Sequence, residues 1–228
     1  RWYHEPHTAP ELLDRFVYGL PELHRDALKG AGAIAAPGCY PTAATLALRP
    51  LMDAGLIEST GIIVDAMSGV SGAGRPPKPT TTFCAVDSDV QAYGLLDHRH
   101  TSEMDMNLGA TVLFTPHLVP MSRGILATCY ARPAVDGLST ATLMEVLIDR
   151  YEDEPFVVAS ERSPSTKATL GTNAAHVTAR YDERTGTVLA LAAIDNLGKG
   201  ASGQAMQCMN LALGLPETQG LAVVGTTP

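Results

Sequence analysis

The spacing of apolar residues along the chain predicts several helices. Apolar residues recur at helical spacing from Ser139, a good N-cap, to about Tyr151, which predicts an amphipathic helix. An Ala- and Leu-rich run predicts a second helix from about Pro41 to Ala54, bent or interrupted near Pro50, because proline removes a backbone hydrogen bond. Weaker patterns predict shorter helices at about 9–16, 102–108 and 201–213.

Short β-branched or alternating runs predict the strands. They lie at about 33–36, 61–67, 111–118, 122–131, 157–158, 176–181 and 188–194. The last two are joined by a predicted turn at 182–186. Because the strands cluster and the helices lie elsewhere, the pattern predicts an α+β fold with a mainly antiparallel sheet.

Composition and charge narrow the class of protein. The chain has 228 residues, 45% of them hydrophobic, and a formal net charge of −8. This composition is typical of a globular protein with a sizeable core. The acidic balance argues against nucleic-acid binding, which needs clustered positive charge. No apolar run approaches the roughly 20 residues that cross a membrane, so we expect a soluble, cytoplasmic protein without a membrane partner.

The four cysteines are widely spaced and form no Cys-x-x-Cys pair, which argues against a disulfide scaffold or a metal site. Cys39 differs from the others because it follows Gly38 at the start of a predicted helix, where backbone N–H groups stabilise a thiolate. We expect Cys39 to be a nucleophile with a lowered pKa and faster alkylation than the rest; the alternative is a free cysteine that is simply part of the buried core beside an Ala-rich helix. Cys84, Cys129 and Cys208 are expected to lie in apolar surroundings.

Two histidines, His98 and His100, flank Arg99 just ahead of a predicted helix. Imidazole titrates near neutral pH and is the side chain that most often transfers protons in catalysis. A cysteine nucleophile needs such a partner, and either histidine meets this requirement. The alternative is a solvated helix start, with His100 or Thr101 acting only in capping.

Three further segments carry residues able to hold an anion or a cofactor. The loop 68–75 offers serine hydroxyls, bare backbone and Arg75, but it matches neither a dinucleotide-binding nor a Walker loop. His117 and Arg123 lie about a turn between strands, where Arg123 presents a fork for a carboxylate or phosphate. A glycine-rich turn at 195–205 joins a strand to a helix. Each segment also has a purely structural interpretation. The loop 68–75 would be a tight loop, Arg123 a surface arginine on a turn, and 195–205 a simple helix start.

Six segments carry motifs of one known family, in its order and over nearly the whole chain. They are 17–23 (VYGLPEL), 38–43 (GCYPTA), 68–75 (SGVSGAGR), 98–101 (HRHT), 115–121 (TPHLVPM) and 195–200 (DNLGKG). Together they resemble the N-acetyl-gamma-glutamyl-phosphate reductase family of arginine biosynthesis. One departure is Ser102, where the family has Pro in a His-x-Pro-Glu run. The resemblance implies a sheet with helices on one face, similar to the catalytic and dimerisation domain of glyceraldehyde-phosphate dehydrogenase.

The resemblance also implies a role for each candidate residue. Cys39 looks like the nucleophile that attacks the acyl phosphate, expels phosphate and forms a thioester. Hydride from NADPH then yields a thiohemiacetal, which collapses to N-acetyl-glutamate semialdehyde, and His100 looks like the general acid–base of those steps. The implied binding residues are Ser68, Gly69, Ser71, Gly72, Arg75, His98, Arg99, His117 and Arg123 for the substrate, and Asn196 and Gly198 for the cofactor.

The resemblance also implies that the chain consists of three parts. Residues 1–37 resemble the tail of an α/β Rossmann domain, 38–195 the catalytic, substrate-binding and oligomerisation domain, and 196–228 a helix that packs back toward the first part. Since no glycine-rich nucleotide loop precedes Cys39, we expect most of the Rossmann domain to be missing and this chain to bind NADPH poorly and to be inactive alone. The expected partners are a small anionic substrate and further copies of the chain, as a dimer or tetramer.

Two other functions remain open on the residues alone. A hydrolase or acyltransferase would use Cys39 and His100 without a nicotinamide. A non-catalytic oligomerisation module would use the antiparallel strands as its interface. The aspartate-semialdehyde dehydrogenases are similar in fold and thiol chemistry, but Tyr-Pro after the cysteine and the His-Arg-His triplet favour the glutamyl family.

Overall fold

The long strands alternate buried and exposed side chains, and this alternation gives the sheet one covered face. The structure is a computed structural model that describes residues 2–3 and 5–225. Its strands are β1 Val17–Tyr18, β2 Ile34–Ala35, β3 Ile62–Gly69, β4 Gln91–Ala92, β5 Val112–Val119, β6 Ile125–Ala131, β7 Val157–Ala159, β8 Ala175–Asp182 and β9 Thr187–Ile194. The helices are α1 Pro21–Leu28, α2 Cys39–Asp53, α3 Phe83–Val86, α4 His100–Leu108, α5 Thr140–Tyr151 and α6 Gly203–Ala212.

Seven strands of the described chain form one sheet in the order β4-β5-β3-β6-β9-β8-β7, while β1 and β2 form a separate parallel pair. In the large sheet, four of the six strand pairs are antiparallel, which confirms the predicted α+β class. The pairs β3–β5 and β7–β8 are parallel. Parallel neighbours need a long crossover, and the chain between β3 and β5 supplies one that includes α4.

The helix α2 packs against β6, β8 and β9, and α5 packs beside it against β7 and β8. Contrary to the prediction, α2 begins two residues earlier, at Cys39, and continues through Pro50 without interruption. A proline frees the carbonyl four residues before it. That carbonyl, of Leu46, accepts a hydrogen bond from Tyr151 Oη in α5 at 2.7 Å, so the buried group keeps a partner. The neighbouring helix therefore lets α2 continue through Pro50.

Ser139 caps α5 as predicted: its Oγ accepts a hydrogen bond from the backbone N–H of Thr142 at 3.1 Å. The predicted helix at 9–16 is instead a 3-10 helix, Pro10–Arg15. The predicted final helix is divided into a π-helical turn, Gly198–Ser202, followed by α6. Among the strands and α-helices of the described chain, β1, β4, α1 and α3 were not predicted.

The two ends of the described chain pack together beside the main core. Leu28 of α1 forms a small apolar cluster with Cys208 and Leu211 of α6, and Val17 and Ile34 of the β1–β2 pair pack against it. The π-helical turn connects this cluster to β9 and reaches α2. No helix in the described part of the chain is long and apolar enough to cross a membrane.

Candidate active site

Cys39 is the first residue of α2 and is half-buried. Gly38 precedes it as the N-cap, and its carbonyl accepts hydrogen bonds from Thr42 N at 3.0 Å and Thr42 Oγ1 at 3.0 Å. Pro41 is the third helical residue, where a missing N–H costs no hydrogen bond. The local sequence therefore places the thiol at the end of α2 where unpaired N–H groups concentrate.

His100 is the first residue of α4 and is buried against Gly38. A β-carbon added at Gly38 would lie 2.5 Å from His100 Nε2, so only glycine allows this approach. The backbone N–H of His100 donates to His98 Nδ1 at 3.1 Å, and the centroids of the two rings are 4.8 Å apart. The structure thus brings the predicted nucleophile and both histidines together.

The protonation of the pair differs from the sequence expectation. Burial, with a smaller contribution from the charge of Glu103, raises the pKa of Cys39 to about 11, although backbone N–H groups of Tyr40 and Cys39 act against this. Burial, His98 and Arg99 lower the pKa of His100 to about 3. The prediction of a lowered Cys39 pKa was wrong, because desolvation exceeds the effect of the helix start. At neutral pH the pair is a thiol and a neutral imidazole.

The alkylation rate of Cys39 is therefore expected to rise with pH. Since only the thiolate reacts, iodoacetamide labelling of Cys39 should accelerate about tenfold per pH unit between about pH 7 and pH 10. Peptide mapping after timed pulses measures this rate. A plateau beginning below about pH 8 would show that the thiol is already ionised there.

The other three cysteines serve as internal controls for that experiment. Cys129 and Cys208 are buried, and burial raises the pKa of both thiols, so they should stay unlabelled in the folded protein. Cys84 is exposed on the short helix α3. The expectation of apolar surroundings was wrong for Cys84, which should be labelled before Cys39 at neutral pH.

Cys39 and His100 open onto one cavity of about 620 Å³. Five residues of the sequence prediction line it: Cys39, Gly72, His98, Arg99 and His100. Residues that the sequence reasoning did not assign also line it: Trp2, Tyr40, Lys78, Thr80, Gln91 and Tyr93. The position of Lys78 shortly after the glycine-rich loop 68–75 could have indicated that it belongs to this site. Tyr40 follows Cys39 directly and was also a usable signal, whereas Trp2 and Tyr93 carried none, because only the fold brings them to this site.

Most of the loop 68–75, which was predicted to bind an anion, is occupied by contacts with other groups of the protein. Ser68 is buried and donates to the Gly69 carbonyl at 3.0 Å, and Gly69 packs against the backbone of Arg123. Ser71 Oγ accepts a hydrogen bond from Asn196 Nδ2 at 2.9 Å. Arg75 is exposed. Of the predicted substrate residues in this loop, Gly72 lines the cavity.

Arg123 and His117 lie outside the cavity lining. The guanidinium of Arg123 is paired with buried Asp195, with Nη2 and Oδ2 2.8 Å apart and Nε donating to Oδ1 at 3.1 Å. Asp195 also accepts from the N–H of Gly171 at 2.6 Å. The fork of Arg123 thus already holds a carboxylate of the protein itself. The carbonyl of His117 accepts from Tyr40 Oη at 3.4 Å.

Asn196 and Gly198, the predicted cofactor residues, begin the turn that packs against Cys39. Asn196 Oδ1 accepts from Gly124 N at 2.7 Å, so its side chain ties two loops together. A β-carbon at Gly198 would lie 2.0 Å from the Thr172 carbonyl oxygen, and one at Gly200 would lie 2.8 Å from Cys39 Cβ. Close packing thus requires both glycines, and Gly200 brings bare backbone beside Cys39.

Residues 39–196 match the protein family described as semialdehyde dehydrogenase, dimerisation domain. The chain is 53% identical over 235 residues to the N-acetyl-gamma-glutamyl-phosphate reductase of Desulforudis audaxviator, covering 100% of this chain and 68% of the relative. It is 48% identical over 238 residues to the reductase of Moorella thermoacetica, with the same coverage of 100% and 68%. The chain belongs to the N-acetyl-gamma-glutamyl-phosphate reductase family.

Solved structures of similar fold come from a second group of enzymes. Aspartate semialdehyde dehydrogenase II of Vibrio cholerae aligns with a TM-score of 0.69 and 19% identity, over 90% of this chain and 70% of that one. A probable aspartate-semialdehyde dehydrogenase of Pseudomonas aeruginosa aligns with a TM-score of 0.67 and 19% identity, over 92% and 70%. At this identity the likeness shows the fold, and it confirms the predicted class of sheet with helices.

The chain spans about two thirds of the length of the N-acetyl-gamma-glutamyl-phosphate reductases that it matches. Two of the six motifs that carried the resemblance, 38–43 and 98–101, meet around Gly38. The described residues contain no cluster of three or more His, Cys, Asp or Glu side chains able to hold a metal ion.

Proposed function

We propose that this chain performs the thiol chemistry in the reduction of N-acetyl-gamma-glutamyl phosphate to N-acetyl-glutamate semialdehyde and phosphate. The observation that carries the proposal is the meeting of Cys39 and His100 around Gly38, at the wall of one cavity. The proposed boundaries of the catalytic domain are 38–195, with flanking parts that belong to the cofactor side.

The first step starts from a neutral pair. As Cys39 Sγ bonds to the acyl carbon, its proton passes to the imidazole of His100, which is neutral at pH 7 and therefore has a ring nitrogen free to accept it. The bond between the acyl carbon and the phosphate oxygen then breaks, and phosphate leaves with the electron pair. The product is a thioester on Cys39 and a protonated His100, which can return its proton to a later oxyanion.

The two anionic ends of the substrate require cations. Lys78 and Arg99 both line the cavity, and Gly72 contributes bare backbone to the same wall. A volume of about 620 Å³ falls within the range of small-molecule sites, roughly 300–1,000 Å³. We propose that these groups hold the phosphate and the α-carboxylate.

The cofactor proposed for this reaction is NADPH, which supplies a hydride when bound. The residues present fit the reactive end of such a group, because Gly200 places backbone without a side chain beside Cys39. In the part of the chain that the structure describes, no strand leads into a Gly-x-Gly-x-x-Gly turn for the dinucleotide phosphates. The proposed cofactor contacts of Asn196 and Gly198 are made by the backbone of the turn at 196–200.

The open face of the sheet supports association with a second copy. Ile63, Met67, Leu113 and Tyr130 of β3, β5 and β6 are each more than a third exposed on the face away from α2 and α5. A row of large apolar side chains on one open face is a typical oligomer interface. We propose that this face pairs with itself in a homo-oligomer.

The test of the proposed function is a phosphate burst without any reductant. Mixing the chain with N-acetyl-gamma-glutamyl phosphate should release one phosphate per chain, and mass spectrometry should locate an acyl group on Cys39. Cys39→Ala should abolish both signals, while Cys84→Ala, which removes an exposed thiol away from the cavity, should leave them intact. Continued phosphate release would instead indicate a hydrolase, and no acyl-Cys39 would contradict the proposal.

A further inference from the structure

Glu103 lies one turn after His100 in α4 and stands outside the cavity. Its Oε2 accepts a hydrogen bond from the backbone N–H of Gly38 at 2.9 Å and another from Tyr18 Oη at 3.0 Å. Gly38 is the residue immediately before the nucleophile and the N-cap of α2. A carboxylate of α4 thus holds the backbone from which Cys39 projects.

Two contacts join α4 to Gly38, the N-cap of α2. The ring of His100 packs against Gly38 on one side, and the carboxylate of Glu103 binds its N–H. The N–H of an N-cap residue has no partner within its own helix. The distance between the nucleophile and the histidine therefore depends on how Gly38 is held, and Glu103 is the side chain that holds it.

A polar network supports Glu103 from behind. Tyr18 Oη donates to Glu103 and accepts from Asn107 Nδ2 at 3.0 Å, and Asn107 also donates to Thr45 Oγ1 of α2 at 3.2 Å. These hydrogen bonds connect β1, α2 and α4 at the same corner of the fold. A satisfied network of this kind rigidifies the groups that it joins.

We infer that Glu103 is a positioning residue, which keeps Cys39 and His100 in reacting geometry by anchoring the N–H of Gly38. This inference rests on the proposed function of the same pair. The carboxylate does not line the cavity; its charge contributes to the raised pKa of Cys39, and its contact with the site is the hydrogen bond from the backbone N–H of Gly38.

The comparison of Glu103→Gln with Glu103→Ala separates geometry from charge. Both variants lose the negative charge, but the glutamine carbonyl can still accept the Gly38 N–H. Glu103→Ala should slow acylation of Cys39 about 10²-fold, the cost of a misplacement on the order of 1 Å, whereas Glu103→Gln should stay near the wild-type rate. Rapid quenching of the phosphate burst measures both.

Asp105→Ala is the matched control. Asp105 lies in the same helix as Glu103, and its Oδ1 also accepts a backbone N–H, that of Val112 in β5, at 2.9 Å. It should change stability and leave acylation unchanged. Equal acylation rates in Glu103→Ala and Glu103→Gln, or an equal loss in Asp105→Ala, would overturn the inference.

Iodoacetamide labelling of Cys39 gives a second readout that needs no substrate. Glu103→Ala should be labelled faster than Glu103→Gln at the same pH, since the loosened helix start exposes the thiol. If wild-type protein forms no acyl-Cys39, the proposed function fails, and the labelling rates still decide the role of Glu103. Identical labelling of the two variants would then overturn it.

Discussion

Replacing His100 with Asn is expected to slow acylation of Cys39 by about 10²–10⁴-fold, the usual contribution of a positioned proton acceptor. The half-buried thiol of Cys39 has a pKa of about 11, so at neutral pH its proton must be removed during attack. Asparagine offers no basic nitrogen to receive it. The rate constant of the phosphate burst at saturating acyl phosphate measures the loss, and the substrate concentration giving half the maximal rate should change little.

His98→Asn is the control for that substitution. His98 Nδ1 accepts the backbone N–H of His100, and the Oδ1 of an asparagine can accept the same bond. This variant should retain most of the rate, because the imidazole of His100 is unchanged. Equal losses in the two variants would contradict the assignment of His100 as the base.

Replacing Lys199 with Met is expected to lower the free energy of unfolding by about 3–5 kcal/mol. Lys199 Nζ is fully buried, paired with the equally buried Glu22, and donates to Gln207 Oε1 at 2.7 Å. The substitution leaves the carboxylate of Glu22 buried without its cation. Urea unfolding followed by circular dichroism measures the change.

Two controls accompany the Lys199 variant. The double variant Glu22→Leu/Lys199→Met removes both charges and should recover most of the loss, since an apolar replacement of a buried pair is often neutral. Lys29→Met breaks an exposed pair with Asp26 and should have little effect. A loss in Lys199→Met no larger than that in Lys29→Met would contradict a strong role for the buried pair.

Local pattern was sufficient for the elements whose signals lie within a few residues. The N-cap at Ser139, the strands of the large sheet other than β4, and the place of Cys39 at a helix start all follow from short-range rules of capping and alternation. Elements of two to four residues, such as β1, β4 and α3, have too few positions to show a period. The helix α1 was missed although a proline marks its first turn.

The path of α2 through Pro50 depended on a distant partner. Sequence alone predicts a bend or break there, because the ring frees a carbonyl that water would otherwise satisfy. The hydroxyl of Tyr151, about one hundred residues later in the chain, binds that carbonyl. No local rule contains this information.

By itself the sequence determined the family of this protein and the candidate residues for its chemistry: a cysteine after glycine, two histidines around an arginine, and glycine-rich turns in a recognisable order. Only the tertiary structure decided their protonation states and which of them bind one another. Burial is a property of the packed fold, and it turns the expected thiolate into a thiol by raising the pKa of Cys39. Packing likewise commits Arg123 to Asp195 and places Glu103 on the N–H of Gly38. These outcomes depend on contacts between residues far apart in the chain, which spacing along it cannot specify.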